Sequence, residues 1–563
     1  MRAALLFILF FLAHVGRSPA EAHSSGPGGC SALTGHGAGS YMTDMVHWKL
    51  EHDGGSSVSP NARVVVRLFD IGGGNNFKGF ILKTSAGTLT VKDATNTQAV
   101  AVSACDGAIG HVSAADKLEV DAYLDLPSTT GTVTVTAEVV YSKMSVAELT
   151  LDIEVVEPWT QVGDDIDGAV EGEKIGWSVS MNTDGTRMAV GAPKSSSILD
   201  YYEGYLRVYQ YDQTKTPVWQ QMGPDDIVGS LEVENRGTMV SMSGDGTRVA
   251  SIGSKSKATV VQVHEWNSES QSWTAMPGFP LASQGDRYIW AVAISSDGTR
   301  VAFVTHLGNG MYVLYVYEFG DTGSGETWFQ VGDFQQVYSS ADGYAVAMSA
   351  GGNRVVVGCP DAGGYGTILV YEPGITWTQI GGDITGEFIG EASGKGYYGK
   401  FGKSVAISAD GSRVVAGAAG YNDGTIADLY GAEPYVRVYE WSSGSWQQLG
   451  SDVTMGQSTY NYHFGYSVDM SDDGSLIAVR APRQNHKSLT LMYTFDSATN
   501  DWLITAEIED EAAYDWFPSG GQDDRGSITP VSLSGDGKYV AIGADTHLAG
   551  HGLVRVFKDP ITA

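Results

Sequence analysis

The chain of 563 residues has few cysteines, few basic residues and no long hydrophobic run beyond its N-terminus. Its 34 Lys and Arg residues stand against 65 Asp and Glu residues, for a formal net charge of −31, and it has only 3 cysteines. So negative a chain repels nucleic acid and anionic membrane surfaces and attracts cations such as calcium. Since no later stretch approaches the roughly 20 apolar residues of a spanning helix, we expect neither nucleic-acid binding nor membrane insertion.

Common catalytic motifs are also missing. The sequence has no H-E-x-x-H zinc motif, no G-x-S-x-G nucleophile elbow and no phosphate-binding P-loop. These absences argue against the common metalloprotease, esterase and NTPase classes. They leave open a polysaccharide-acting hydrolase, whose site needs only two close carboxylates brought together from different loops.

The first residues have the pattern of an export signal. Arg2 precedes an apolar run over residues 3–13, and A-E-A at residues 20–22 is a small-residue cleavage site. We therefore expect residues 1–22 to be a signal peptide and the rest of the chain to be secreted to the extracellular space.

A repeat occupies roughly the last four hundred residues. Tryptophans recur at intervals of 49–69 residues, most of them in the phrase W-x-Q-x-G, at Trp159, Trp219, Trp273, Trp328, Trp377, Trp446 and Trp502. A second phrase, usually ending in D-G, follows each of them at Asp184, Asp245, Asp297, Gly351, Asp410, Asp473 and Asp536. Self-similarity at this period predicts a stacked or circular repeat architecture.

Each repeat predicts four strands. An alternating run precedes the D-G phrase, which favours a tight hairpin, and two β-rich runs and the tryptophan phrase follow it. Seven such repeats predict a seven-bladed β-propeller over residues 158–563. The seventh repeat lacks a tryptophan phrase of its own, so we expect residues 158–163 to supply its last strand and close the ring.

Three repeats resemble the FG-GAP repeats of integrin-α-type propellers. The matching segments are IGWSV with VGAP (175–179 and 190–193), FGKSV with AGAA (401–405 and 416–419), and FGYSV with VRAP (464–468 and 479–482). The family often holds calcium through D-x-D-x-D-G, but the turns of this chain lack the alternate carboxylates. The resemblance therefore implies the propeller fold rather than that metal site.

Residues 23–157 form a separate region of short, β-branched runs, which predicts a β-sandwich. CSALTGHG (30–37), FKGFILKT (77–84) and Cys105 followed by His111 resemble the reeler domain of reelin and the spondins, although Tyr123 stands where that family usually has Trp. The resemblance implies an immunoglobulin-like sandwich, a Cys30–Cys105 disulfide bond and a role in extracellular adhesion or matrix. The expected fold class is thus all-β, with an immunoglobulin-like β-sandwich followed by a seven-bladed β-propeller.

The candidate site lies where the innermost strands begin, at one mouth of the predicted ring. Bulky or cationic residues occupy the position seven residues before the turn residue listed above, at Trp177, Trp290, Tyr344, Lys403 and Tyr466. Three residues further on, the other repeats have serine or alanine, whereas the sixth repeat has Asp469. Aromatic side chains at a shallow mouth suit sugar stacking or a protein partner. The alternative is that these side chains pack the loops.

The loop after the first tryptophan phrase contains Asp164, Asp165 and Asp167, which are weak candidates for calcium ligands. Because similar carboxylates follow other tryptophan phrases, a structural loop motif is the competing interpretation. The sequence thus favours a secreted or cell-surface protein that recognises an extracellular glycan or protein ligand. A secreted polysaccharide-acting hydrolase and a structural component of a cell wall or matrix are the alternatives.

Overall fold

The computed structural model describes part of the chain: residues 48–52, 57–58, 63–70, 79–91, 99–101, 109–111, 119–127, 131–142, 145–155, 158–193, 204–228, 234–255, 258–277, 289–306, 311–339, 344–374, 376–387, 391–392, 395–396, 399–419, 434–455, 464–481, 488–510, 530–544 and 551–560. The predicted signal peptide and the predicted Cys30–Cys105 disulfide bond lie outside these residues. The chain divides into two compact units, Met1–Pro158 and Trp159–Ala563. Apart from one 3-10 turn, Ala362–Gly364, the regular structure of the described residues is β-strand, which confirms the predicted all-β class.

The first unit contains two sheets over one core. Its strands are Trp48–His52 (β1), Ser57–Val58 (β2), Arg63–Asp70 (β3), Gly79–Thr84 (β4), Thr88–Val91 (β5), Ala99–Ala101 (β6), Ile109–His111 (β7), Glu119–Asp125 (β8), Gly131–Ser142 (β9) and Ser145–Val155 (β10). One sheet has the order β1-β3-β8-β5 and the other β2-β10-β9-β4-β7-β6.

Alternation along the strands explains the core of this unit. In β3, Val64, Val66 and Leu68 are buried, while the residues between them are half-buried. Val133 and Val135 of β9, in the other sheet, belong to the same buried cluster. A period of two places every second side chain on one face, so the two apolar faces enclose a common core.

The second unit consists, in the described residues, of seven antiparallel sheets and one small two-stranded pair, Glu391–Ala392 (β32) with Lys395–Gly396 (β33). We number the seven as ring sheets I to VII. Ring sheet I contains Ser178–Met181 (β13), Arg187–Ala192 (β14), Tyr205–Tyr211 (β15), Trp219–Gln221 (β16) and Ile227–Val228 (β17); II contains Glu234–Met242 (β18), Arg248–Lys255 (β19), Ala258–Asn267 (β20) and Ser272–Ala275 (β21). Ring sheet III contains Ile289–Ile294 (β22), Arg300–His306 (β23), Tyr312–Asp321 (β24), Glu326–Gln330 (β25) and Gln335–Val337 (β26); IV contains Ala345–Met348 (β27), Val355–Cys359 (β28), Thr367–Pro373 (β29), Trp377–Gln379 (β30) and Ile384–Thr385 (β31).

The remaining ring sheets follow the same order. Ring sheet V contains Phe401–Ile407 (β34), Arg413–Ala418 (β35), Tyr435–Ser442 (β36) and Ser445–Gln448 (β37); VI contains Ser467–Met470 (β38), Leu476–Ala481 (β39), Ser488–Asp496 (β40) and Asp501–Asp510 (β41). Ring sheet VII contains Val531–Leu533 (β42), Tyr539–Ala544 (β43) and Leu553–Lys558 (β44), with Thr160–Gln161 (β11) and Ile166–Asp167 (β12) paired to β44. The last ring sheet therefore contains strands from both ends of the unit.

The turn after the first strand of each ring sheet is held by its own side chains. In ring sheet II, Asp245 accepts hydrogen bonds from the hydroxyl of Ser243 at 2.7 Å and from the amide of Thr247 at 2.9 Å. The hydroxyl of Ser243 in turn accepts from the amide of Arg248 at 2.9 Å. Gly246 has φ +67°, a conformation that glycine adopts without steric strain. These contacts explain why S-x-D-G-T-R recurs.

The first strand of each ring sheet contacts the first strand of the next, in the cyclic order β13, β18, β22, β27, β34, β38 and β42, and β42 contacts β13 again. Backbone hydrogen bonds of 2.7–3.0 Å run around the turn end of these strands, and within the described residues they form a closed circle through Thr183, Gly244, Ser296, Ala350, Ala409, Asp472 and the Gly535–Asp536 pair. Both observations show a closed ring of sheets, tied at the end where the turns lie.

Side chains also connect neighbouring ring sheets. Arginines at the start of the second strand donate to the carbonyl of the turn glycine in the next ring sheet at 2.9–3.2 Å, in the pairs Arg187–Gly246, Arg248–Gly298, Arg300–Gly352, Arg354–Gly411 and Arg413–Gly474. On the outer strands, the indole N–H groups of Trp219, Trp377 and Trp502 donate to carbonyls of the preceding ring sheet at 2.9–3.0 Å. The repeated phrases therefore encode contacts between ring sheets as well as strands.

Candidate functional site

The first strands all run in the same direction, so their starting residues lie together at the end of the ring opposite the circle of turns. We call this end the mouth. The five predicted residues all occupy it, because each lies immediately before a first strand or among its first three residues: Trp177, Trp290, Tyr344, Lys403 and Tyr466. The turn end is crossed by backbone hydrogen bonds, so the mouth is the end of the ring that side chains can adapt to a ligand.

Two of the predicted mouth residues form an aromatic pair. The ring centroids of Trp290 and Tyr344 lie 6.5 Å apart in an edge-to-face arrangement. The ring centroid of Tyr312 lies 5.3 Å from that of Tyr344, and the ring centroid of His306 lies 4.7 Å from that of Tyr312. Trp290 is half-buried, whereas Tyr344 is only 8% exposed and its hydroxyl donates to the carbonyl of Tyr338 at 2.8 Å. Tyr344 therefore supports the pair, and Trp290 presents the accessible surface.

Lysines lie against the other two aromatic residues. The ammonium group of Lys403 is 5.4 Å from the ring centroid of Tyr466, and both side chains are half-buried. Lys174 holds its ammonium group 4.7 Å from the ring of Trp177, which is only 7% exposed. A cation over an aromatic face is attracted by the ring quadrupole. The structure thus pairs Lys403 with Tyr466 and leaves Trp177 largely covered.

Asp469 bridges two first strands. Its carboxylate accepts from the amide of Met470 at 2.9 Å and from the amide of Leu533, in the next ring sheet, at 2.7 Å. Ser532 and Ser180 make the equivalent contact, each accepting at 3.0 Å from the amide of the next first strand. Asp469 therefore has a structural function in the described contacts. Burial of its carboxyl raises its pKa to about 6.

The candidate calcium ligands divide between a salt bridge and exposed loop positions. Asp165 binds the guanidinium of Arg555 at 2.6 Å and accepts from the side-chain amide of Gln161 at 2.8 Å. Asp164 and Asp167 are exposed. The Asp165 arrangement recurs in two other ring sheets, as Asp226 with Arg207 and Gln221, and as Asp452 with Arg437 and Gln448.

This recurrence accounts for one carboxylate after each of three tryptophan phrases. Each of the three loops is fastened to the third strand of its ring sheet by an Arg–Asp pair. Within the described ranges, no group of three or more His, Cys, Asp or Glu side chains is arranged to hold a metal ion. The contacts of Asp165, Asp226 and Asp452 fit the loop-motif interpretation.

Ring sheet II contains a buried polar group around Arg236 that was not predicted from the sequence. Arg236 is 2% exposed and donates to Gln262 at 2.7 Å and to Ser251 at 3.2 Å. His264, two residues beyond Gln262, is 7% exposed. Burial lowers the pKa of Arg236 to about 10, and burial together with the charge of Arg236 lowers the pKa of His264 to about 3. The signal was present in the repeat, because Arg236 stands where two other ring sheets have Phe401 and Phe464.

Further aromatic and ionisable residues, which the sequence places between the predicted strands and which are also candidates for ligand binding, lie outside the described residues. These are Tyr201, Tyr202, Tyr397, Tyr398, Tyr430, Tyr460, Tyr462, Tyr514, Trp516, Asp545 and His547. Over the described ranges, no helix has the length and hydropathy that a membrane crossing requires.

No protein-family model matches the chain, and no curated protein is significantly similar to it. Among solved structures, the human F-spondin reeler domain is 18% identical, with a TM-score of 0.19, over 21% of this chain and 95% of that chain. The periplasmic gluconolactonase of Pseudomonas aeruginosa is 13% identical, with a TM-score of 0.38, over 64% and 96% of the two chains. An oligogalacturonate lyase in complex with manganese is 14% identical, with a TM-score of 0.36, over 72% and 97%. The structural neighbours thus comprise a reeler domain and propeller-like proteins.

Proposed function

We propose that the chain is a secreted recognition protein that binds an extracellular glycan or protein ligand at the mouth of its ring. In this proposal, residues 23–157 form a reeler-type, immunoglobulin-like sandwich, and residues 158–563 form a seven-bladed β-propeller of the FG-GAP type. The closed order of the first strands and the pairing of β11 with β44 support the propeller architecture. The two sheets around one core support the sandwich.

The observation that carries the binding proposal is the composition of the mouth. Trp290 and Tyr466 are half-buried aromatic side chains, and the ammonium group of Lys403 lies 5.4 Å from the Tyr466 ring. Partly exposed aromatic rings provide large contact areas with little loss of conformational freedom, and a neighbouring cation can donate hydrogen bonds to sugar hydroxyls or carbonyl oxygens. The arrangement suits ligand binding better than bond cleavage.

A hydrolase acting on polysaccharide is the second candidate and requires two close carboxylates. Asp469, the carboxylate that the sequence placed near the mouth, is hydrogen-bonded to two backbone amides. A screen of soluble polysaccharides for released reducing ends tests this candidate directly. Turnover by the wild-type chain would favour the hydrolase over the binding protein.

The binding proposal is tested with the full chain on an array of immobilised glycans and extracellular-matrix proteins. We expect Trp290→Ala and Tyr466→Ala to reduce retention at least tenfold when equal amounts of folded protein, measured by circular dichroism, are compared. Phe329→Ala is the matched control, because Phe329 is an aromatic residue on the outer strand β25 and is 38% exposed. Equal retention of wild-type and mouth variants would exclude the mouth as the binding site.

A further inference from the structure

A cavity of about 440 Å³ lies between ring sheets II and III. Its lining includes Arg248, the first residue of β19, and Thr299, in the turn between β22 and β23, so the cavity lies near the turn end of the ring and away from the mouth. We call this space the rim groove. The lining residues used below are Arg248, Glu265, Met276, Pro277, Phe319 and Glu326.

The rim groove lies beside a departure from the repeat. In five ring sheets the fourth residue after the tryptophan is a glycine with φ between +66° and +92°, namely Gly163, Gly223, Gly332, Gly381 and Gly450. A Cβ atom on any of them would lie within 3.8 Å of the indole Cδ1 atom of the next ring sheet's tryptophan, so each loop passes directly over that indole. Ring sheet II has Pro277 here, and the proline ring fixes φ at about −65°. This loop therefore cannot pass over Trp328 in the same way, which leaves space at the seam.

The floor of the rim groove is apolar. Met276 is 7% exposed, and the Phe319 ring is half-buried. The guanidinium of Arg248 lies 5.4 Å from the centroid of the Phe319 ring, and the ring of Trp328 also lies 5.4 Å from it. These neighbours fix the position of Phe319, so the floor favours a ligand that has an aliphatic portion.

Three charged side chains line the rim groove, and their charges do not cancel. Arg248 donates from Nε and Nη2 to one oxygen of Glu265, at 2.9 and 2.7 Å, so these two side chains neutralise each other. Glu326 is exposed and forms no salt bridge with any described residue. The lining therefore carries one unbalanced negative charge, in a chain whose net charge is −31, and it favours a cation.

The unbalanced carboxylate is not a general feature of the repeat. Glu326 stands two residues before Trp328, and five of the other six repeats have an uncharged residue at that position: Pro217, Gln271, Ile375, Gly444 and Asn500. The acidic side chain and the proline that opens the seam thus occur together at the rim groove.

A guanidinium group meets these requirements. It is planar, always charged and less strongly hydrated than an ammonium group, and its N–H donors can bond a carboxylate and hydroxyl groups together. Thr274 and Thr299 also line the rim groove, and their hydroxyl oxygens can accept. Ligand sites have volumes of roughly 300–1,000 Å³, so the space is large enough for a group of this size.

We propose that the rim groove binds a guanidinium group on an aliphatic stem, which is the chemistry of an arginine side chain. Glu326 bonds the guanidinium, and Met276 and Phe319 contact the stem. This site is separate from the proposed mouth site, and it stands or falls independently of it.

Binding to the full chain is measured by calorimetric and NMR titration with arginine blocked at both backbone ends and with agmatine, which has no peptide groups. We expect both to bind the wild type. Blocked citrulline has nearly the same shape without the charge and should bind roughly threefold more weakly than blocked arginine. Tighter binding of blocked arginine than of agmatine would assign the site to an arginine residue of a protein, and the reverse order would assign it to a free guanidine.

Glu326→Gln removes the unbalanced charge and keeps the size of the side chain. We expect it to weaken the binding of blocked arginine about threefold to fivefold, which is the scale of a solvent-exposed ion pair. Glu326→Lys places a like charge beside the ligand and should abolish detectable binding. Glu269→Gln is the matched control, because Glu269 is an exposed glutamate of ring sheet II that does not line the rim groove. Its affinity should equal that of the wild type.

Three results would overturn the proposal. The first is failure of both blocked arginine and agmatine to bind the wild type. The second is equal binding of blocked arginine and blocked citrulline, which would show that the charge is not recognised. The third is unchanged binding in both Glu326 variants, which would place the ligand elsewhere, including the mouth.

Discussion

The buried carboxyl group of Asp469 makes the stability of the ring depend on pH, and we expect Asp469→Ser to remove this contribution to the pH dependence. Burial raises its pKa from 3.8 to about 6. Because the folded-state pKa exceeds the unfolded value, the stability associated with this group is complete below about pH 4 and is lost as pH rises through about 6. At about 1.4 kcal/mol per pH unit, the loss amounts to about 3 kcal/mol at neutral pH.

Asp469→Ser introduces the residue type that three other ring sheets have at the equivalent position, as Ser180, Ser241 and Ser532. The serine hydroxyl can still accept from the amide of Leu533, as Ser532 accepts from the next first strand at 3.0 Å. The bond from the amide of Met470 is lost, at a cost of about 1 kcal/mol. We therefore expect the variant to be more stable than the wild type by about 2 kcal/mol at pH 7.5 and less stable by about 1 kcal/mol at pH 4.

The assay is thermal unfolding of the full chain between pH 4 and pH 8. For a unit of this size the difference at pH 7.5 corresponds to a midpoint about 2–3 °C higher in the variant. Asp472, whose pKa is also raised by burial, is present in both proteins, and its charge contributes to the raised pKa of Asp469, so the difference between the proteins includes this interaction. Ser241→Ala, which removes an accepted hydrogen bond but no charge, should shift the midpoint equally at every pH. A difference between Asp469→Ser and wild type that does not vary with pH would refute the reasoning.

Two further predictions concern the contacts between ring sheets. Gly417→Ala would place a Cβ atom 2.0 Å from the carbonyl oxygen of Gly465, so we expect circular dichroism to show a loss of folded protein. The control is Gly351→Ala, whose Cβ would have no neighbour closer than 3.8 Å and which should fold normally. Normal folding of both variants would contradict the close packing at Gly417. Trp502→Phe removes a 2.9 Å hydrogen bond to the preceding ring sheet and should destabilise the unit by about 1 kcal/mol more than Trp446→Phe in thermal unfolding. Equal effects would assign the loss to packing alone.

The strands were predictable because each is specified by neighbouring residues. The D-G phrase requires a positive φ at glycine, and Gly246 and Gly474 have φ of +67° and +68°. Bulky and small residues alternate before the turn, and this local pattern determines which residues face each neighbouring sheet. The repeat could therefore be divided into strands without knowledge of the contacts between them.

The contacts between ring sheets could not be predicted in the same way, because they join residues about fifty to sixty positions apart through geometry. Arg187 reaches the carbonyl of Gly246, and a backbone carbonyl leaves no mark in the sequence. Asp469 was conspicuous in its column, yet its partners are backbone amides. His264 stands where ring sheet I has Tyr209, but the cavity that His264 lines also depends on residues 223–228 of another repeat.

The pairing of β11 with β44 has a consequence for the order in which the protein is assembled. Arg555 of β44 binds Asp165, which is 390 residues earlier in the chain. During synthesis, the early strand must therefore remain without its partner while the other six ring sheets form. An unpaired strand edge is a site for intermolecular association, and β11 is only two residues long, which limits that hazard. The pairing of β11 with β44 thus joins the first-made and the last-made strands of the ring.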